Sequence, residues 1–516
     1  MGMDLIIKTT HGKIQGEERG GIGIFRGIPY GGPCDGKYRF LPPTPADDWE
    51  GVRDCTRNGA YAVQFGTSIS GSDFFGDYFS GGHPELFGVA EEQQSENCLV
   101  LNVVTPGTDQ KKRPVLVYIH GGGFATGSGT LVLGADKMAA DEDIVIVGVN
   151  HRLNIFGYLY LGAFDRRYES SGMAGMLDLV MALEWVRDNI AAFGGDPEKV
   201  TIMGESGGGM KVSTLLAMPA AQGLFRSAIV ESGSSVVGRL SKEAAAETAR
   251  LALQRLGISE GHLEELEKLK AKELLAVCAD GPSGGGALDF GPVADDINLM
   301  YAASDDFAAP EISRNIPLLV GSSEDETAVF TPMDVLENIT FDNLREMLIT
   351  SDAGRLGTGP SPVNGANVDH IIEVFMKNNR KADTAEHLFT KINSLTSFLG
   401  GGSYYQAMSK AEQGGAPVYH YVVAYDSPLP QSHKRYAWHT ADLPLQLRIV
   451  RHPESEALSR TMSGCIGAFV RTGNPSIPGL PWPEFTQNEK LVMVFDEVCR
   501  VEKDPWKELR ESVSRI

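Results

Sequence analysis

Thr201-Ile202-Met203-Gly204-Glu205-Ser206-Gly207-Gly208-Gly209 is the stretch from which the rest of the chain can be read. It contains Gly204-x-Ser206-x-Gly208, a pattern suited to a β-strand over residues 200–203 that turns abruptly into a helix, with one side chain held at the apex in a strained backbone conformation. Flanking glycines let the strand and helix backbones approach closely. The serine hydroxyl is then exposed at the carboxyl edge of a sheet, beside the NH groups of the helix start. In a chain with 60 glycines the pattern alone also fits a glycine-rich loop carrying a solvated serine. Its surroundings discriminate. Residues 175–189 place Leu179, Met181, Leu183, Trp185 and Val186 among polar residues at helical spacing, and Phe193-Gly194-Gly195-Asp196-Pro197 stops that helix. Helix, stop, strand, serine turn, helix is the order the motif requires.

The alternation extends in both directions. Apolar, β-branched runs of strand length occur at 99–104, 115–119, 144–149, 228–230, 316–320, 418–423 and 491–495, with helical segments between them. This predicts an α/β protein with a large, mostly parallel central sheet and helices on both faces. Residues 4–60 read as a small antiparallel β-element ahead of that sheet. Residues 65–92 turn to Gly, Ser and the aromatics Phe65, Phe74, Phe75, Tyr78, Phe79 and Phe87, a composition that fits equally a flap walling an apolar pocket and a surface loop anchored by its own aromatics. Helical insertions are expected at about 241–280 and 331–412, so residues 1–516 form one α/β domain with additions.

With 42% apolar and 22% charged residues, the chain has the composition of an ordinary globular protein. A net charge of -21 argues against nucleic acid and anionic membrane surfaces as partners. No run approaches a membrane span. Leu5-Ile6-Ile7 is too brief for a signal-peptide core, so a cytoplasmic address is expected, with Ser514-Arg515-Ile516 a faint peroxisomal alternative. The six cysteines, at 34, 55, 98, 278, 465 and 499, have no close pairs and suggest neither a zinc site nor a redox motif. They read as reduced thiols.

A serine hydroxyl is a poor nucleophile near neutral pH, so Ser206 needs a base and an acidic group to orient that base. The strand-to-helix serine calls for the chain order serine, acid, histidine. The histidines after Ser206 are His262, His370, His387, His420, His433, His439 and His452. His439, in Tyr436-Ala437-Trp438-His439-Thr440-Ala441-Asp442, follows a strand and loop in the required place, whereas His433 sits in a polar Gln-Ser-His-Lys-Arg run and reads as solvated. For the acid, Glu324, Asp325 and Glu326 follow the 316–320 strand, and spacing does not choose among them. His120-Gly121-Gly122-Gly123-Phe124, directly after a strand, offers backbone NH groups to an oxyanion.

With these motifs in place the chain resembles the type-B carboxylesterases, the group that includes cholinesterases, bile-salt lipases and fungal lipases. The likeness spans nearly all of the sequence. It rests on Phe25-Arg26-Gly27-Ile28-Pro29-Tyr30, Arg39-Phe40, Ser95-Glu96-Asn97-Cys98-Leu99, His120 to Phe124, Asn150-His151-Arg152-Leu153, Phe193 to Pro197, Gly204 to Gly208, Gly223-Leu224-Phe225 and Gly473-Asn474-Pro475. The resemblance implies an α/β-hydrolase fold and hydrolysis of carboxylic esters through an acyl-enzyme, with no metal or organic cofactor. The family's Gly-x-Asn-x-Asp-Glu-Gly pattern lies over Gly321 to Thr327 and implies Glu326 as the acid of a triad with Ser206 and His439. It also implies oxyanion donors at Gly122, Gly123 and Gly207.

Some positions depart from the family. Ala62 stands where the disulfide partner of Cys98 is expected, the second usual bridge also lacks its pair, and Thr327 replaces a glycine. The 65–95 stretch lacks the choline-binding tryptophan, which argues against a cholinesterase. The expected partner is a small ester with an apolar group. An acyltransferase or lactone-forming enzyme would use the same triad, and a non-catalytic binding protein could share the fold.

Overall fold

The computed structural model describes residues 3–65, 93–234, 240–279, 288, 290–300, 309–351, 362–378, 383–429, 434–450 and 452–513. It divides into two compact units, the first holding the described residues up to Ala228 and those from 240 to 300, the second Ile229 to residue 234 and those from 309 onward. Almost all of the 65–92 flap, including every aromatic after Phe65, lies outside the described residues.

The first unit is built on the strands β1 (Glu17–Arg19), β2 (Ile22–Pro29), β3 (Val100–Thr105), β4 (Arg113–Ile119), β5 (Val145–Val149), β6 (Gly195–Glu205) and β7 (Ser227–Glu231), of which Ser227 and Ala228 belong to this unit. Their spatial order is β7-β6-β4-β5-β3-β2-β1. β4 runs parallel to both β5 and β6, while β3, β2 and β1 continue the sheet antiparallel. Every residue of β5 is buried, as expected of a strand covered on both faces. Helix α1 (Ala174–Asn189) is buried around most of its circumference.

The N-terminal residues depart from the expected separate antiparallel element. β2, eight residues long and mostly buried, joins the main sheet beside β3, because so apolar a strand must be covered on both faces. The remaining short strands form a mixed sheet in which Lys13–Gln15 pairs antiparallel with Ile6–Lys8 and parallel with Val52–Asp54.

The register of the central strands positions the chemistry. Ile119, the last residue of β4, pairs with Gly204 near the end of β6, so the two loops leaving these strands start side by side. Helix α2 (Gly207–Leu215) begins immediately after β6. In the 241–280 segment, α3 (Lys242–Leu256) starts at Ser241, whose hydroxyl accepts from Ala244 N at 3.2 Å, and stops at left-handed Gly257.

In the second unit β8 (Leu318–Ser323), β9 (Val418–Val423), β10 (Leu491–Phe495) and β11 (Arg500–Lys503) follow in spatial order β11-β10-β9-β8, with residues 229–231 of β7 beyond β8. β8, β9 and β10 are parallel, and β11 turns back antiparallel. β8 starts later than the 316–320 apolar run suggests and continues through Ser322 and Ser323. Pro317 has no NH for the ladder and delays the strand. The described residues between 331 and 412 are largely helical with loops between, and include α4 (Ala385–Leu395) and α5 (Gly400–Gln413). Among the described residues no helix is long and apolar enough to cross a membrane.

Candidate active site

Ser206 occupies the apex between β6 and α2 with φ 57° and ψ -125°, a conformation that an L-residue adopts only under constraint from its surroundings. Two glycines supply that constraint by close contact. A Cβ on Gly204 would lie 2.3 Å from the Gly208 carbonyl, and one on Gly208 would lie 2.1 Å from Ile119 O. The turn is therefore clamped between its own helix and the end of β4.

Beside it, Gly122 and Gly123 take φ values of 85° and 60°, which only glycine adopts without strain. Ala125 N and Thr126 N both donate to Gly122 O, and Asn154 N donates to Phe124 O at 2.7 Å, fixing the loop from within and from behind. Gly207 lies directly against Gly123, so close that a Cβ would fall 2.4 Å from the Gly123 nitrogen. Among the described residues the NH groups of Gly122 and Gly123 have no acceptor. Free NH groups on the loop and at the first turn of a helix are suited to holding a developing negative charge.

Behind the loop, the His120 ring stacks on His151 at 4.7 Å between centroids. Burial, together with the nearby Lys211 ammonium, pushes the His120 imidazole down to about 3, so it is neutral at any ordinary pH. Asn150-His151-Arg152, one of the motifs noted in the sequence, is anchored by Arg152, which forms a buried ion pair with Asp178 of α1 at 2.6 Å.

The second unit carries Glu326 and His439, the acid and base expected from the sequence. His439 Nδ1 donates to Glu326 Oε2 at 2.5 Å, with both side chains buried. The other carboxylate oxygen, Oε1, accepts from Ser232 Oγ and from Ser323 N, each at 2.6 Å. The three adjacent acids are thus separated by geometry. Glu324 pairs with Lys391 at 2.7 Å. Asp325 is buried and accepts from Thr390 Oγ1 at 2.9 Å and Ala437 N at 3.2 Å, while its own NH donates to Ala437 O. It ties the strand end to the backbone two residues before His439.

Thr327, the departure from the family's glycine, is bonded on both sides. Its hydroxyl donates to Thr390 O at 3.0 Å and its NH to Ser394 Oγ at 3.1 Å, fastening the acid's turn to α4. Asp442, three residues past His439, accepts from Gln446 Nε2 at 3.1 Å and from Tyr421 OH. Burial, and next the charge of Glu326, raises its carboxyl to about 6.

The other histidines are placed differently. His262 and His370 are exposed, His387 packs on Tyr436, and His420 is buried against Ser403, while His433 lies outside the described residues. Sequence reasoning missed Ser232, Asp442 and Lys211. Ser232 was signalled weakly by Glu231-Ser232-Gly233 at the end of a buried strand. Lys211 is the only charged residue in the short helix α2, whose other side chains are apolar or the small hydroxyls of Ser213 and Thr214.

A family model described as the Carboxylesterase family matches residues 3–509. The para-nitrobenzyl esterase of Bacillus subtilis (strain 168) is 34% identical over 525 residues, covering 98% of this chain and 98% of that protein. The cocaine esterase of Homo sapiens is 31% identical, covering 95% of this chain and 87% of its own length. Among solved structures, a Geobacillus stearothermophilus carboxylesterase aligns with a TM-score of 0.79 at 32% identity, covering 99% of this chain and 100% of that one. The sheet and helices described above are accordingly those of the α/β-hydrolase fold. Since the matches run from one end of the chain to the other, the protein belongs to the carboxylesterase family and is a carboxylic ester hydrolase.

Proposed function

We propose that the chain hydrolyses carboxylic esters through an acyl-enzyme on Ser206, with His439 as general base and then general acid, and Glu326 as the group that orients the ring. The observation that carries this reading is the buried Glu326–His439 hydrogen bond of 2.5 Å. A carboxylate on Nδ1 fixes the tautomer in which the other ring nitrogen accepts a proton, and it stabilises the imidazolium that follows. Ser206 attacks the carbonyl carbon while its proton passes to His439. The oxyanion is held by the NH groups of Gly122, Gly123 and Gly207. As the tetrahedral intermediate collapses, the imidazolium gives its proton to the leaving alcohol. Water then repeats the sequence on the acyl-enzyme and releases the acid.

Esters with an apolar acyl or alcohol group are the proposed substrates, and para-nitrobenzyl esters, named for the Bacillus relative, are the first to try. A reducing compartment is proposed on the six unpaired cysteines. The test is hydrolysis of p-nitrophenyl and p-nitrobenzyl esters over a range of acyl lengths, with Ser206→Ala in parallel. Removing the nucleophile should lower kcat by roughly 10⁶-fold. Equal rates for the two proteins would overturn the triad.

A further inference from the structure

Lys211 is fully buried on α2, five residues after the nucleophile. Among the described residues its Nζ has one hydrogen-bond acceptor, the backbone oxygen of His120, at 3.0 Å. It also lies 5.6 Å from the centroid of the Phe124 ring, which packs edge-on against Tyr158 at 5.2 Å. The amine thus touches both ends of the segment from His120 to Phe124 that contains Gly122 and Gly123. The titratable groups that sense its charge are the rings of His120 and His151, both held below the ordinary imidazole range chiefly by burial.

We propose that Lys211 is a positioning residue for ester hydrolysis: it grips the His120 carbonyl and the Phe124 ring, and so holds the NH groups of Gly122 and Gly123 where the oxyanion develops. The catalytic half of this inference rests on the esterase reading above; the grip on the loop does not. Stability alone gives no reason for an amine at this position. Burial lowers its pKa to about 7 from 10.5, so the unfolded chain holds the proton more strongly than the folded one. The cost to the fold is fully present below pH 7 and fades as pH rises towards 10.5. Methionine would fill the same space without that cost.

The experiment compares wild type with Lys211→Met and Lys211→Gln in p-nitrophenyl acetate kinetics, inhibition by a trifluoromethyl ketone, thermal unfolding at pH 6 and 9.5, and amide exchange of the 120–125 segment. Lys211→Met should lower kcat by about 10- to 100-fold with KM nearly unchanged, because the lost contact matters most when the oxyanion forms. Ketone affinity should fall by the same factor, and exchange in the loop should quicken. Its Tm at pH 6 should equal or exceed that of wild type, with a smaller advantage at pH 9.5. Lys211→Gln, which retains a donor, should recover part of the rate. Unchanged kcat, inhibitor affinity and exchange would overturn the proposal, as would a Lys211→Met protein that fails to fold, since the role would then be structural. If wild type is inert on every ester, the esterase reading falls while the exchange rates still decide the grip.

Discussion

Glu326 divides its two carboxylate oxygens between different partners. Oε2 faces His439, and Oε1 is held by Ser232 Oγ and Ser323 N. A buried carboxylate with one oxygen fixed by two donors cannot rotate away from the ring it is bonded to, which under the proposed mechanism it orients. Ser232→Ala removes one donor without touching His439. Hydrogen bonds to charged groups contribute about 1.5–3 kcal/mol, so the variant should lose roughly 10-fold or more in kcat with KM unchanged. Steady-state kinetics against wild type checks this, and an unchanged kcat would mean that Ser323 N alone holds the carboxylate. Lys211 presents the same contrast on the proposed oxyanion side, where a buried side chain holds the backbone that carries the NH groups.

At the scale of elements, what could be read in advance followed how local each cause is. The turn at Ser206 is announced by residues within five positions of it, since the strand, glycines and helix are all visible in 201–209, although its clamp against the end of β4 is not. The loop at 120–124 follows β4 directly and was equally legible. Ser232 is 94 residues from Glu326, and no local pattern announces that contact. Spacing likewise could not separate Glu324, Asp325 and Glu326, because what separates them is Lys391 on α4 and the backbone of Ala437. The N-terminal strand was misjudged because period-2 alternation does not say which sheet a strand joins. The contact between elements that matters most for the turn is Gly208 against β4. Gly208→Ala would place a Cβ 2.1 Å from Ile119 O, and neither a strand end nor the first turn of α2 can yield that much. The prediction is a loss of at least 100-fold in kcat/KM, since both the proposed nucleophile and the proposed oxyanion loop would shift, together with a lower Tm. Differential scanning fluorimetry and p-nitrophenyl ester kinetics on the same preparation measure both effects.

For the molecule as a whole, the buried titratable groups act on stability in opposite directions. Burial pushes the His120 and His420 imidazoles down to about 3 and lowers His151 as well, so on acidification the unfolded chain takes up these protons first. His120 and His420 each contribute stability that is present above pH 6.5 and is lost as pH falls towards 3, and His151 acts in the same direction. Asp442, raised to about 6, behaves oppositely: its contribution is present below 3.8 and is lost as pH rises through 6. Glu231, also raised by burial, adds to that second group. Because the opposing sets overlap between pH 4 and 6, the wild-type pH profile alone cannot reveal either. His420 separates them, since it lies outside the proposed chemistry and its ring packs edge-on against Phe485. In His420→Phe one proton is removed from the balance, and the slope of unfolding free energy between pH 4.5 and 6 should fall by up to ~1.4 kcal/mol per pH unit. Asp442→Asn should steepen the same slope by a similar amount. The exposed carboxylates behind the net charge of -21 titrate alike in all three proteins, so differences between urea-unfolding series from pH 4.5 to 7.5 isolate the buried groups. Parallel slopes in wild type and His420→Phe would mean that the imidazole exchanges its proton in the folded protein as it does in the unfolded chain, and that its burial carries no pH-dependent stability.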